Sequence, residues 1–355
     1  MRLYALFFSF LSLLPLSADG LRHRYASLLT PPLVYHCTHT TSPIVIDGKL
    51  NEADWQRAAH TAPFVDIQGK GKPLPLYPTT AQLLWDEENL YVAARIIEPN
   101  IVARLQQRDT IIWKENDFEV FLDPYGEGTH YYEFEVNARG TMMDLLMTQP
   151  YRTEGSFLIA WNCPELRYAI HQEGTLNQSH DVDSFWCVEM AIPIRSLRHN
   201  FDYQRGGTAG ETWRLNFSRV QWLKPQGPEE NWVWSPTGKI DIHMPERWGY
   251  LHFVHSESNI SPSSNFTADY QLLWACFYAQ LDYYQQYGSY ASNLEILGVT
   301  ASDLASIATE SKLQLNACQS QFLLTLTQSD GSRYTLDQHG KCRYRKPESP
   351  LPSPL

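Results

Sequence analysis

Two runs constrain this chain more than any others: Trp113 to Pro124 and His130 to Asn137, joined by Tyr125-Gly126-Glu127-Gly128-Thr129. From Phe118 the first run alternates with period two. Phe118, Val120 and Leu122 lie on one side, Glu119, Phe121 and Asp123 on the other, as in a half-buried strand. The second run repeats this, with Tyr132, Phe134 and Val136 opposite Tyr131, Glu133, Glu135 and Asn137. The Gly-containing connection reads as a hairpin loop. Once paired, the strands would crowd Glu119, Glu133 and Glu135 on one exposed face, with Trp113 just before it. An aromatic plate beside hydrogen-bonding side chains matches a pyranose, which is apolar on its face and polar at its rim.

At 355 residues the chain has room for one large domain and a smaller one. Lys+Arg number 28 against Asp+Glu 39, a net charge of -11, and no basic run occurs. Nucleic acid is therefore excluded as a partner, because phosphate neutralisation needs clustered Lys and Arg. Arg2 followed by the apolar Leu3 to Leu16 and by Leu16-Ser17-Ala18 predicts a signal peptide over 1–18, hence a secreted or periplasmic protein with no membrane span after cleavage. Six cysteines behind such a leader predict disulfides, Cys163–Cys187 first and Cys318–Cys342 second. No CxxC pair occurs, which argues against zinc.

Residues Asp19 to Thr41 lack periodicity and read as a lead-in. Ile44 to Gly48 predicts a short strand and turn, and Asn51 to Ala58 a brief Asn-capped helix whose Trp55 plugs the sandwich floor. Strands are predicted at Thr80–Trp85, Leu90–Ile97, Met142–Met147, Arg167–His171, Phe185–Ile192, Thr212–Gln221 and Gly249–Val254, with a short helix after Pro193. Many strands separated by turn signals predict an all-β fold, a distorted antiparallel β-sandwich over 36–254. A Ser/Asn/Pro-rich linker follows at 255–266. A small α+β appendage is predicted over 267–346, opened by a helix from Thr267 to Gly288, then a disordered Pro-rich tail over 347–355.

Ile46-Asp47-Gly48-Lys49-Leu50-Asn51-Glu52-Ala53-Asp54-Trp55, then Leu90-Tyr91-Val92-Ala93, Trp113 to Pro124, Trp213 to Arg219 and Pro245 to Leu251 occur in that order. Together they resemble family 9 carbohydrate-binding modules and their family 9-like, DOMON-like relatives. The resemblance implies a distorted β-sandwich that binds glucose- or xylose-type sugars (glucan or xylan), commonly beside secreted polysaccharide hydrolases. It implies that Trp113 stacks on the sugar and Glu119 bonds its hydroxyls. The family's Arg after the hairpin falls at Glu135, and its Gln on the later strand at Ser218, two residues beyond Asn216. Its second stacking Trp falls near Ile242 or His243, where Trp232 or Trp234 could substitute. The expected carbohydrate-binding set is thus Trp113, Glu119, Glu135, Asn216, Ser218 and Trp234. Trp213, Leu215 and Phe217 face the core, leaving Arg214, Asn216 and Ser218 on the polar side. Ala279 to Leu294 resembles the soluble end of pilin-like secreted proteins.

Other readings compete. The carboxylates could be solvated outer-face groups, or hard oxygen ligands suited to calcium, with no other cofactor expected. A glycoside hydrolase would need two of them about 5 Å apart with one pKa raised. A structural or haem-binding envelope protein would draw on His130, Met142, Met143 and Met147, which core packing also explains. The leading expectation is a non-catalytic carbohydrate-binding protein serving polysaccharide catabolism.

Overall fold

The computed structural model describes residues 20–198, 208–224, 226–256 and 266–347. The expected leader lies outside them, as do, apart from flanking residues, the expected linker and tail. The chain divides into a large unit, residues 30–265 with 336–343, and a small unit, residues 1–29, 266–335 and 344–355.

The strands of the large unit are β1 (Val34–His39), β2 (Val65–Asp66), β3 (Thr79–Trp85), β4 (Asn89–Ile97), β5 (Asp117–Asp123), β6 (Tyr131–Asn137) and β7 (Met142–Met147). They continue with β8 (Phe157–Leu158), β9 (Arg167–Glu173), β10 (Phe185–Pro193), β11 (Thr212–Trp222), β12 (Glu229–Val233) and β13 (Gly249–Val254). All belong to one 13-stranded sheet, ordered β8-β7-β6-β5-β11-β13-β1-β3-β4-β10-β9, with β12 and β2 branching from β11. The pairings are antiparallel except at β1, which runs parallel to both β13 and β3. The sheet curls so that its halves share a core. Phe118, Val120, Leu122, Phe134 and Val136 from one half meet Leu83, Val92, Ile96, Val188 and Met190 from the other. Each such buried side chain is worth roughly 1.5–3 kcal/mol relative to exposure.

The period-two assignment holds on both hairpin strands and on β11, where Trp213, Leu215 and Phe217 face the core. The β5–β6 loop is tightened by Asp123, whose carboxylate accepts from the amides of Tyr125, Gly126 and Gly128 at 3.2, 2.8 and 2.8 Å. Both glycines sit at positive φ, 64° and 76°, a region open to Gly at little cost.

Several expectations are corrected. Ile44 to Gly48 forms no strand, because the Asp47 and Gly48 amides donate to the Glu189 carboxylate, both at 2.9 Å, instead of to a ladder. Trp55 Nε1 donates to the same carboxylate at 2.8 Å, holding the helix Ala53–Arg57 on the sheet. The expected lead-in contains β1, whose Tyr35 and Cys37 point inward. The segment after Pro193 is a single 3₁₀ turn, Ile194–Leu197. No two cysteines are bonded. Cys163 lies in the core, whereas Cys187 sits between the core residues Trp186 and Val188 and so points to the other face of the sheet.

The small unit is built on the helix Ala268–Tyr287, capped by the Thr267 side chain and ended by Gly288 at φ 69°. A separate four-stranded sheet has the order β14 (Lys312–Ala317), β15 (Phe322–Thr327), β16 (Arg333–Asp337) and β17 (Cys342–Arg345). Cys318 follows one edge strand and Cys342 opens the other, and neither is bonded. No helix among the described residues is long and apolar enough to cross a membrane.

Candidate functional site

The register pairs Glu119 with Glu135 across β5 and β6, and with Ser218 on β11. Phe121 is likewise flanked by Glu133 and Asn216. Asp117, Glu119, Glu133 and Glu135 therefore share the face that points away from the main core. The expected exposure of that face is corrected: these four are 0, 4, 4 and 1 % exposed. A second apolar cluster of Ile112, Phe121, Tyr131, Met143, Leu145, Met147 and Trp248 covers much of it. The irregular segment before β5 is tied down by Glu115, which accepts from the amides of Arg104 and Leu105 and from Asn137 Nδ2 at 2.6 Å.

Burial disfavours the charged form of all four carboxyls. It pushes Glu119 up to about 8, aided by the charge of Glu133 and opposed by a hydrogen bond from Ser218. Glu133 rises to about 7 and shares a hydrogen bond with Glu135. Asp117 and Glu135 rise well above the usual carboxylate range, burial first and neighbouring carboxylates second. Among the described residues no Lys, Arg or His forms an ion pair with any of the four. Arg219, buried in the main core, is engaged by Glu98 at 2.9 Å and by Gln221, and the charge of Asp117 also acts on it.

Trp113 stands at the rim, 41 % exposed, in the turn Ile112–Lys114. Its amide donates to Glu135 at 3.2 Å and its carbonyl accepts from Trp222 Nε1 at 3.0 Å, so the backbone is fixed and the indole is free. A second exposed aromatic belongs here, and sequence reasoning missed it. Tyr151, 48 % exposed, packs edge-on to His243 at 4.6 Å. After burial, the charges of Glu133 and Glu135 push its hydroxyl up to about 12. Its only sequence signal was an aromatic residue following Pro150 in a loop.

The structure brings Trp113, Glu119, Glu135, Asn216 and Ser218 to one side of the sheet. The Asn216 amide is occupied internally: Oδ1 accepts from Phe217 and Ser235, and Nδ2 donates to the Ser235 carbonyl at 2.8 Å. It pins the segment after β12. Trp234 is 3 % exposed in the main core, 6.1 Å from Phe217 and 6.4 Å from Tyr35, on the other side of the sheet from the carboxylates. Trp232 is buried there too, under Arg219. Met142 belongs to the main core, Met143 and Met147 to the covering cluster.

Residues 46–210 match the family model described as carbohydrate family 9 binding domain-like. Similar solved structures include a family 9 carbohydrate-binding module from Caldicellulosiruptor kristjanssonii. In complex with cellotriose it is 14% identical, with 64% of this chain and 97% of that chain covered and a TM-score of 0.44. In complex with glucose the figures are 15%, 64%, 98% and 0.44. A protein from Bacteroides uniformis is 19% identical, with 62% and 98% covered and a TM-score of 0.47. No curated protein matches the chain.

Proposed function

We propose that the large unit is a non-catalytic carbohydrate-binding module of an exported protein that serves polysaccharide breakdown. In this reading a glucan- or xylan-type sugar lies on Trp113 with Tyr151 as a second aromatic contact. Glu119 and Glu133, each 4 % exposed, are the carboxyl groups nearest the rim's solvent and bond the sugar's hydroxyls. A carboxyl group near its pKa at neutral pH both donates and accepts, which suits a hydroxyl. The observation that carries the reading is the exposed indole whose amide is anchored to the buried acidic cluster. Export rests on the apolar N-terminal sequence alone.

The test is calorimetric titration with glucose, cello-oligosaccharides and xylo-oligosaccharides. Trp113→Ala should weaken binding at least about tenfold, since a base- or sugar-sized ring stacked on an aromatic is worth on the order of 1–3 kcal/mol. Equal affinity in the variant would remove the assigned site. Hydrolysis is the second reading, favoured by the raised pKa of Glu119 beside a second carboxyl. Reducing sugar released by the purified protein and abolished in Glu119→Gln would establish it.

A further inference from the structure

Asp117 plays no part in the sugar reading, yet its geometry is the most demanding on this face. Its Oδ1 accepts from the Val220 amide at 2.9 Å, while Oδ2 is buried and has no hydrogen-bond partner among the described residues. A buried acceptor left without a donor is costly and calls for an explanation. One carboxylate oxygen from each of Asp117, Glu119 and Glu135 lies within 4.8 Å of the others. Two oxygens bound to one calcium ion, each at about 2.4 Å, are at most ~4.8 Å apart. All three residues come from paired central strands rather than loops. The Val220 amide, Ser218 and the Trp113 amide hold them in place. A buried carboxyl with one unpartnered oxygen, close to two further buried carboxyls and with no ion pair to any of the three among the described residues, is the arrangement of a hard-cation site.

We propose that Asp117, Glu119 and Glu135 bind one divalent cation of the calcium class. Bidentate carboxylates supply up to six oxygens, enough for calcium and more than a site keeping several waters would need. Glu133, bonded to Glu135, orients that ligand from outside. The proposal stands on Asp117 and on the strand geometry, so it survives if no sugar binds.

The test uses the full chain, stripped with a chelator and titrated with Ca²⁺ alone by calorimetry. Luminescence of Tb³⁺, excited through tryptophan, serves as a second readout. One saturable site is expected. Asp117→Asn and Glu135→Gln, both isosteric, should each weaken it at least about tenfold. Glu87→Gln, which alters an exposed carboxylate bonded to His39, should leave it unchanged. Circular dichroism checks that each variant is folded. Trp113→Ala should lose sugar and keep calcium, which separates this proposal from the sugar reading. Absence of saturable binding of either ion to the wild type, or wild-type affinity in both cluster variants, overturns the proposal.

Discussion

Without a divalent cation the acidic cluster should make the large unit less stable as the solution becomes more alkaline. Burial raises Glu119 from 4.5 to about 8. The folded state therefore holds a proton that the unfolded chain has lost, and stability falls with rising pH between those values. Each pKa unit is worth about 1.4 kcal/mol. Between about pH 6.5 and 8, Glu119 alone then removes roughly 2 kcal/mol. Glu133, raised to about 7, adds to the early part of that interval. Asp117 and Glu135, also raised well above the usual carboxylate range, act in the same sense and steepen the fall. His243 acts in the opposite sense. Burial lowers its pKa, so it gains stability with pH, but that gain is complete once pH passes the ordinary value of 6.5. The interval is chosen for that reason. For a domain of this size Glu119 alone then lowers Tm by about 4–8 °C, read by circular dichroism in the presence of a chelator. Glu119→Gln should flatten the slope and exceed the wild type in stability at the upper end. A Tm that is level or rising across this interval, or a slope unchanged in Glu119→Gln, would refute the burial argument.

Three further outcomes follow from groups elsewhere in the chain. Glu98→Ala strands the fully buried Arg219 without its carboxylate and should cost about 3–5 kcal/mol in urea unfolding. Asn216→Ala removes three hydrogen bonds, two of which hold the segment after β12, and should cost on the order of 2–3 kcal/mol, with faster amide exchange at Ser235. With all six cysteines unbonded, reductant should leave Tm unchanged. The exposed Cys318 should react with a thiol reagent far faster than the buried Cys37, Cys163, Cys187 and Cys276.

The fold was legible where period and burial agree. On β5, β6 and the first part of β11, up to Phe217, every second side chain is apolar, and one register satisfies all three strands. The covering of the other face was not legible, because irregular segments supply part of it: the turn at Ile112 and the run up to Trp248. Those segments have no period to read. A clue existed in the residues themselves. Phe121, Tyr131, Met143 and Leu145 are apolar on the nominally polar face, which a solvated surface would not require. β1 was obscured by its histidines, and its parallel pairing to both neighbours leaves no hairpin turn to betray it. The Cys163–Cys187 expectation ignored parity, which sends Cys187 away from the core that Cys163 enters. Trp234 failed as a platform for the same reason. Sequence proximity to the site said nothing about which side of the sheet it lay on.

Glu119 belongs to both proposed sites, and Glu135 connects them a second time. Its carboxyl group belongs to the cation triad, and its Oε2 also holds the amide of the exposed Trp113. A proton and a cation compete for that group, since a ligating carboxylate must be deprotonated. Whichever occupies it changes the charge that the Trp113 amide faces, and so the position of the ring above it. Linkage then requires that any effect of calcium on sugar affinity be matched by an equal effect of sugar on calcium affinity. Moving the pH downward should weaken calcium binding through proton competition, and sugar binding should follow only as far as the Glu135 contact transmits the change. Removing the indole leaves the triad its full set of ligands. Removing Asp117 leaves the indole and its amide bond to Glu135 in place, so the two sites share Glu119 without sharing a fate.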